Sequence, residues 1–225
     1  MPLGMRKITP DMLAADPFRL TTIDFEKDMS AAPVVALSLI AVNAAAYAWE
    51  LAVGALRSKA AIIAAGAVVG DRVFSGESWR LATGMFLHAN FSHLFGNCAA
   101  LYMLGMAAEQ AWGRTRTLAI YVAGGLASSL LAASMQPKPS VGASGAIFGL
   151  FGVVVVFFAR HRAMMPARDR RIGAALLAWG LLQLGLGLFD PIVDNWGHLG
   201  GLAAGFAIGL FLPSRFRQPE PSAGA

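Results

Sequence analysis

The sequence predicts an all-α membrane protein: a six-transmembrane-helix bundle with a long first external loop. Three observations carry this. Apolar residues make up 56% of the 225 positions and charged residues only 14%, where a soluble domain carries about 25% charged residues. Six separate stretches approach the roughly 17–25 residues that cross a bilayer as a helix. Most of the Lys and Arg residues, 13 of 18, fall in alternate connections, the bias of a multi-span chain.

Taken in order, residues 1–32 form a short cytoplasmic arm of mixed charge, with Asp11, Asp16, Asp24, Glu26 and Asp28. Such acidity argues against an organelle transit peptide, and the arm reads as a tether. A six-helix core follows over 33–212, with spans near 33–55, 92–112, 117–136, 142–159, 172–189 and 196–212. The first span is too long, and preceded by too many polar residues, to be a secretory signal. Between the first two spans lies the longest connection, about 57–91. Its apolar segment Ala60 to Gly70 is too short to cross and is expected in the interface or packed on the bundle. Trp79-Arg80 suits the headgroup zone, as an anchor or as a structural pair near a site. Residues 213–225, rich in Pro, Ser and Gly, are expected to be a disordered cytoplasmic tail.

The net charge of +5 is a topology signal. With both termini in the cytoplasm, 13 of the 18 Lys and Arg lie inside and 5 outside, the arrangement that the positive-inside bias favours. No nucleic-acid partner is expected; the lipid bilayer is. Cys98 is the only cysteine, so no intramolecular disulfide forms, and it reads as a small apolar helix residue.

With that topology the second, fourth and sixth spans all begin on the outer side. His93 and Asn97 fall in the first turns of the second, Ser144 in the first turn of the fourth, and His198 in the first turn of the sixth. Four polar side chains thus converge at one depth that water reaches from outside. Intramembrane polar and ionisable groups are functional candidates, and a hydroxyl with an imidazole is the minimum equipment of nucleophilic catalysis. His93 and Asn97, spaced i and i+4, lie about 40° apart on one helical face. His88 and His93 are about 140° apart on a helix, a poor pair of metal ligands, and no metal site is expected. His161, next to Arg160, reads as headgroup-facing or solvated.

Gly197, Gly201, Gly205 and Gly209 recur every four residues, and Gly145, Gly149 and Gly152 line the fourth span. Small residues at such intervals let helix backbones approach closely. Gly201 and Gly205 lie within about 60° of His198 on the helix wheel, so the face bearing the imidazole also packs tightly. Asp194, four residues before His198, is expected to cap the sixth helix rather than complete a triad. Asp190 and Asp194 share one short loop, which excludes an aspartyl protease built on facing helices. Glu109 is expected to be structural, with Arg114 or Arg116 as partner.

These residues together resemble the rhomboid family of intramembrane serine proteases. The matching segments are Trp79-Arg80, His88 to Asn97, Gly105-x-x-x-Glu109-x-x-x-Gly113, Gly142-Ala143-Ser144-Gly145, and His198 with Gly201-x-x-x-Gly205. They run in this order over residues 33–212, which the resemblance makes a six-helix rhomboid-type core. It implies Ser144 as nucleophile and His198 as general base and acid, without a third acid. Oxyanion donors would come from His93, Asn97 and the backbone N–H of Ser144. Gly142, Gly145, Phe148, Gly201 and Gly205 would support them. It implies no cofactor, and as substrates single-span membrane proteins cut near the outer end of the span. The expected location is the bacterial cytoplasmic membrane. Two positions depart from common family patterns. Gly84 replaces a further histidine of some bacterial members, and Phe148 replaces a tyrosine that stacks on the catalytic histidine. The ring of Phe148 can still stack, but it has no hydroxyl. The alternative reading is a catalytically inactive relative that binds membrane helices as scaffold or chaperone. A transporter is disfavoured because neither repeat symmetry nor deep charge is evident.

Overall fold

The computed structural model describes residues 23–189 and 193–216, and these are all-α apart from one isolated antiparallel pairing of Val68 with Ser140. Nine α-helices occur among the described residues: α1 Val34–Val53, α2 Lys59–Ala65, α3 Gly70–Phe74, α4 Arg80–Thr83, α5 Phe91–Trp112, α6 Arg114–Met135, α7 Ser144–His161, α8 Ala167–Phe189 and α9 Asn195–Phe211. Three helical segments are long and apolar enough to cross a membrane: Val34–Val53, Arg114–Met135 and Ser144–Met164, the last being α7 with the short turn after it. The molecule is therefore a multi-pass membrane protein.

Local chemistry sets the helix ends. α1 stops at Gly54, whose φ of 72° lets its N–H turn back to the carbonyls of Glu50 and Leu51. Asn90 starts α5, its side-chain oxygen accepting from the His93 N–H at 2.9 Å. Asp194 starts α9 by accepting from the Gly197 N–H at 2.7 Å, the capping role expected of it.

α7 is the central element. From Gly145 to Phe158 every side chain except Val155 is buried, against α5, α6, α8 and α9. The glycine intervals explain the closeness. A Cβ on Gly201 would overlap the carbonyl oxygen of Gly145, and one on Gly205 that of Gly149. On the other side of α7, a Cβ at Gly149 would come within 2.9 Å of the Gly124 Cα on α6.

The first loop is a latched structure. The Arg80 guanidinium is buried and donates to the carbonyls of Ile63 at 2.6 Å and Ala67 at 3.1 Å. It also pairs with Glu77 at 2.5 Å, and its hydrogen bond holds the Glu77 carboxyl below the usual carboxylate range. Trp79 is half-exposed with the guanidinium over its ring. The two residues thus divide the roles: Trp79 faces outward and Arg80 ties the loop to α2.

Four expectations need correction. The arm is not a free tether over its described part. The Ile23 N–H donates to the Met164 carbonyl at 2.8 Å, the Phe25 N–H donates to Asp169 at 2.6 Å, and Phe25 is buried. Its apolar side chains gain more from burial than a solvated arm would. In its described part, 213–216, the tail is not free of the bundle, since Phe216 packs on Phe25 and Phe157; residues 217–225 lie outside the described residues. His161 is buried rather than headgroup-facing: its ring packs on Phe157, with centroids 4.5 Å apart, and its Nδ1 lies 2.8 Å from the Phe157 carbonyl, which meets its polar need inside the fold. Glu109 finds neither Arg114 nor Arg116 but accepts from the Ala36 N–H at 3.0 Å. The unpaired N–H groups at the start of α1 are the nearer donors.

Candidate active site

Ser144 is the first residue of α7. Gly142, two residues earlier, has a φ of +124°, which an L side chain rarely adopts. A Cβ there would also press on the His93 ring, 2.6 Å from Cε1. Glycine thus lets the chain turn into α7 beneath that imidazole. The turn is held by the Gly142 N–H donating to the Gly84 carbonyl at 2.9 Å and by the paired backbone bonds of Val68 and Ser140.

His198 projects from the first turn of α9, and its Nε2 lies 2.9 Å from Ser144 Oγ. The ring stacks on Phe148, with centroids 4.4 Å apart and planes at 28°. This is the stacking that the sequence left open to a phenylalanine. His198 Nδ1 is buried with no partner among the described residues. Asp194 does not reach it: one carboxylate oxygen caps α9 through Gly197 and the other accepts from the Ser140 hydroxyl.

A cavity of about 400 Å³ opens over this pair. His93 and Asn97 line its α5 wall, Phe148 its α7 wall, and Trp179 and Gln183 its α8 wall. Asn97 is 8% exposed, and its Nδ2 has no hydrogen-bond partner among the described residues. A buried donor left unmatched is costly unless something fills the space in front of it. The expected set Ser144, His198, His93, Asn97 and Phe148 is therefore brought to one hollow. Gly142, Gly145, Gly201 and Gly205 provide the close approaches around it. Among the described residues no three His, Cys, Asp or Glu side chains gather as a metal site.

Sequence reasoning missed several contributors. Glu50, buried in α1, accepts from the His88 N–H at 3.0 and 3.1 Å through its two oxygens. His88 in turn sets its ring edge-on to His93, with centroids 5.2 Å apart. The signal was a carboxylate inside an apolar run. Ser128, whose hydroxyl occupies the space a Cβ on Gly145 would need, and Ser140, which donates to Asp194, gave no such signal, since a serine is unremarkable in a helix or loop. Trp179 and Gln183 are set at the cavity only by the packing of α8.

The family model described as Rhomboid domain matches residues 75–215. The chain belongs to the rhomboid family. This rhomboid is 39% identical over 154 residues to Rhomboid protease GluP of Bacillus subtilis (strain 168), covering 68% of this chain and 30% of that protein. It is 38% identical over 150 residues to RHOMBOID-like protein 5 of Arabidopsis thaliana, covering 65% of this chain and 48% of the relative. Against Putative rhomboid protease YdcA of Bacillus subtilis (strain 168) it is 33% identical over 138 residues, 60% of this chain and 68% of the relative. The rhomboid chain thus spans half or less of the length of the first two of these curated relatives.

Proposed function

We propose that this rhomboid is an intramembrane serine endopeptidase, with Ser144 as nucleophile and His198 as general base and acid. The observation that carries the reading is the 2.9 Å approach of His198 Nε2 to Ser144 Oγ inside a shared cavity. Family membership and the protease names of two relatives support it. In the neutral Nδ1–H tautomer, Nε2 accepts the serine proton as Oγ attacks a substrate carbonyl. His93, Asn97 and the Ser144 N–H then face the developing oxyanion, the unmatched Nδ2 of Asn97 being a donor already in position. His198 next protonates the leaving amine. Water entering the cavity hydrolyses the acyl-enzyme and frees Ser144. Substrates would be single-span membrane proteins presenting a locally unwound segment to the cavity between α5 and α8.

We further propose that α5, α8 and α9 complete six spans, with both termini in a bacterial cytoplasm. The Lys and Arg asymmetry supports that orientation. A fluorophosphonate probe tests the chemistry. Covalent labelling of the wild type, with none of Ser144→Ala or His198→Ala, is the expected result. New N-termini in membrane proteins should appear only where Ser144 is intact. A folded wild type that neither labels nor cleaves would leave the scaffold reading in its place.

A further inference from the structure

At the far end of α7 from Ser144, a second cavity of about 590 Å³ lies between α7 and α8. Its rim carries three arginines, Arg162, Arg170 and Arg171. Its walls are apolar: Val155, Phe158 and Ala159 from α7, Ala174 and Leu177 from α8. Arg170, Ala174 and Leu177 are spaced i, i+4 and i+7, so one face of α8 runs from guanidinium to hydrocarbon.

The charge balance separates these arginines from their neighbour. Arg168 is matched by Asp24 at 2.7 Å, Glu26 at 3.0 Å and Asp169 at 3.1 Å. Asp169, the nearest acid in sequence, is buried and also takes the Phe25 N–H. Among the described residues, Arg162, Arg170 and Arg171 have no carboxylate within ion-pair distance. Three positive charges with no acidic partner among the described residues therefore line an apolar groove on the helix bundle.

We infer that this groove binds an anionic phospholipid, its phosphate on Arg162, Arg170 and Arg171 and its acyl chains along the wall beneath. Guanidinium forks match phosphate oxygens, and basic pockets between membrane helices at the cytoplasmic side suit such headgroups. Free phosphate would satisfy the arginines but has no use for the apolar wall. A zwitterionic lipid would bring an ammonium toward three cations. The inference is independent of the proteolytic reading.

Native mass spectrometry of the full chain in neutral detergent tests it, with phosphatidylglycerol, phosphatidylcholine of the same acyl chains, and inorganic phosphate as probes. Phosphatidylglycerol should be retained about tenfold over phosphatidylcholine and should not be displaced by excess inorganic phosphate. Changing all three arginines by Arg162→Gln, Arg170→Gln and Arg171→Gln should lower retention by about 10²-fold, and each alone by roughly fivefold, following the usual contribution of one basic residue at an anionic surface. Ala174→Trp keeps every charge but fills the groove, and should also lower retention. The single variants keep the test open should the triple variant misfold. Equal retention of both lipids, displacement by inorganic phosphate, unchanged retention by the arginine variants, or unchanged retention by Ala174→Trp would each overturn the inference.

Discussion

Asp194 is the carboxylate closest in sequence to His198, and both of its oxygens are engaged elsewhere, by the Gly197 N–H and the Ser140 hydroxyl. Neither oxygen makes a hydrogen bond to His198 Nδ1, which is buried without a partner among the described residues. Asparagine caps helices as well as aspartate does, so Asp194→Asn should keep turnover of a membrane reporter substrate within about tenfold of wild type. A true triad acid would cost about 10⁴ in kcat, and a loss of that size would return Asp194 to the mechanism. Asn97 is the opposite case, with its buried Nδ2 unmatched in the cavity wall. Asn97→Ala should lower kcat by about 10²–10³, the loss of one oxyanion donor, while KM stays near the wild-type value. An equal fall in substrate affinity would instead make it a binding residue. The positions of Ser144, His198, His93 and Asn97 were legible because each is a polar group at the start of an apolar run, and that pattern needs no knowledge of contacts. Glu50 was as conspicuous, but its role depends on the loop that brings His88 to it.

Glycine spacing made a close face readable on α7 and on α9, since small residues at such intervals let backbones approach whatever the partner; that the two faces meet was readable only together with Ser144 and His198. The structure adds which glycines have no room. At Gly201 a Cβ would overlap the Gly145 carbonyl oxygen, backbone that cannot move aside, whereas at Gly185 on α8 nothing lies within 4 Å. Gly201→Ala should therefore destabilise by about 1–3 kcal/mol, the range for overpacking. Gly185→Ala should stay within about 0.5 kcal/mol, as for a surface change. Unfolding in mixed micelles of neutral detergent and dodecyl sulfate measures both. Similar losses at the two sites would mean that helix contact is not what selects glycine at Gly201. Less legible was the first loop, because the Arg80 bonds to Ile63 and Ala67 link short segments that show little periodicity.

The long-range joins were the least legible features of the chain. Glu109 to Ala36, Phe25 to Phe157 and Phe216, and Asp169 to the Phe25 N–H each connect distant segments. Sequence pattern marks an apolar or charged residue but not its distant partner. These joins gather the beginning and end of the described chain at the face of the bundle away from Ser144. Phe25 is their hub: it is 1% exposed, with ring centroids 5.3 Å from Phe157, 5.0 Å from Phe158 and 5.7 Å from Phe216. The accompanying ion pair of Asp24 with Arg168 has side chains 53% and 56% exposed, where water screens most of its attraction. Burial should therefore dominate charge in holding the arm. Phe25→Ala should cost about 3–5 kcal/mol, the range for truncating a buried aromatic, and Asp24→Asn less than about 1 kcal/mol. Thermal unfolding of the detergent-solubilised chain would register the first as a clear fall in Tm and the second as almost none. Fluorophosphonate labelling per folded molecule should be unchanged in both, because Ser144 lies at the other end of α7. If Asp24→Asn lowered Tm as far as Phe25→Ala, the arm would be held by its charges and the aromatic cluster would be secondary.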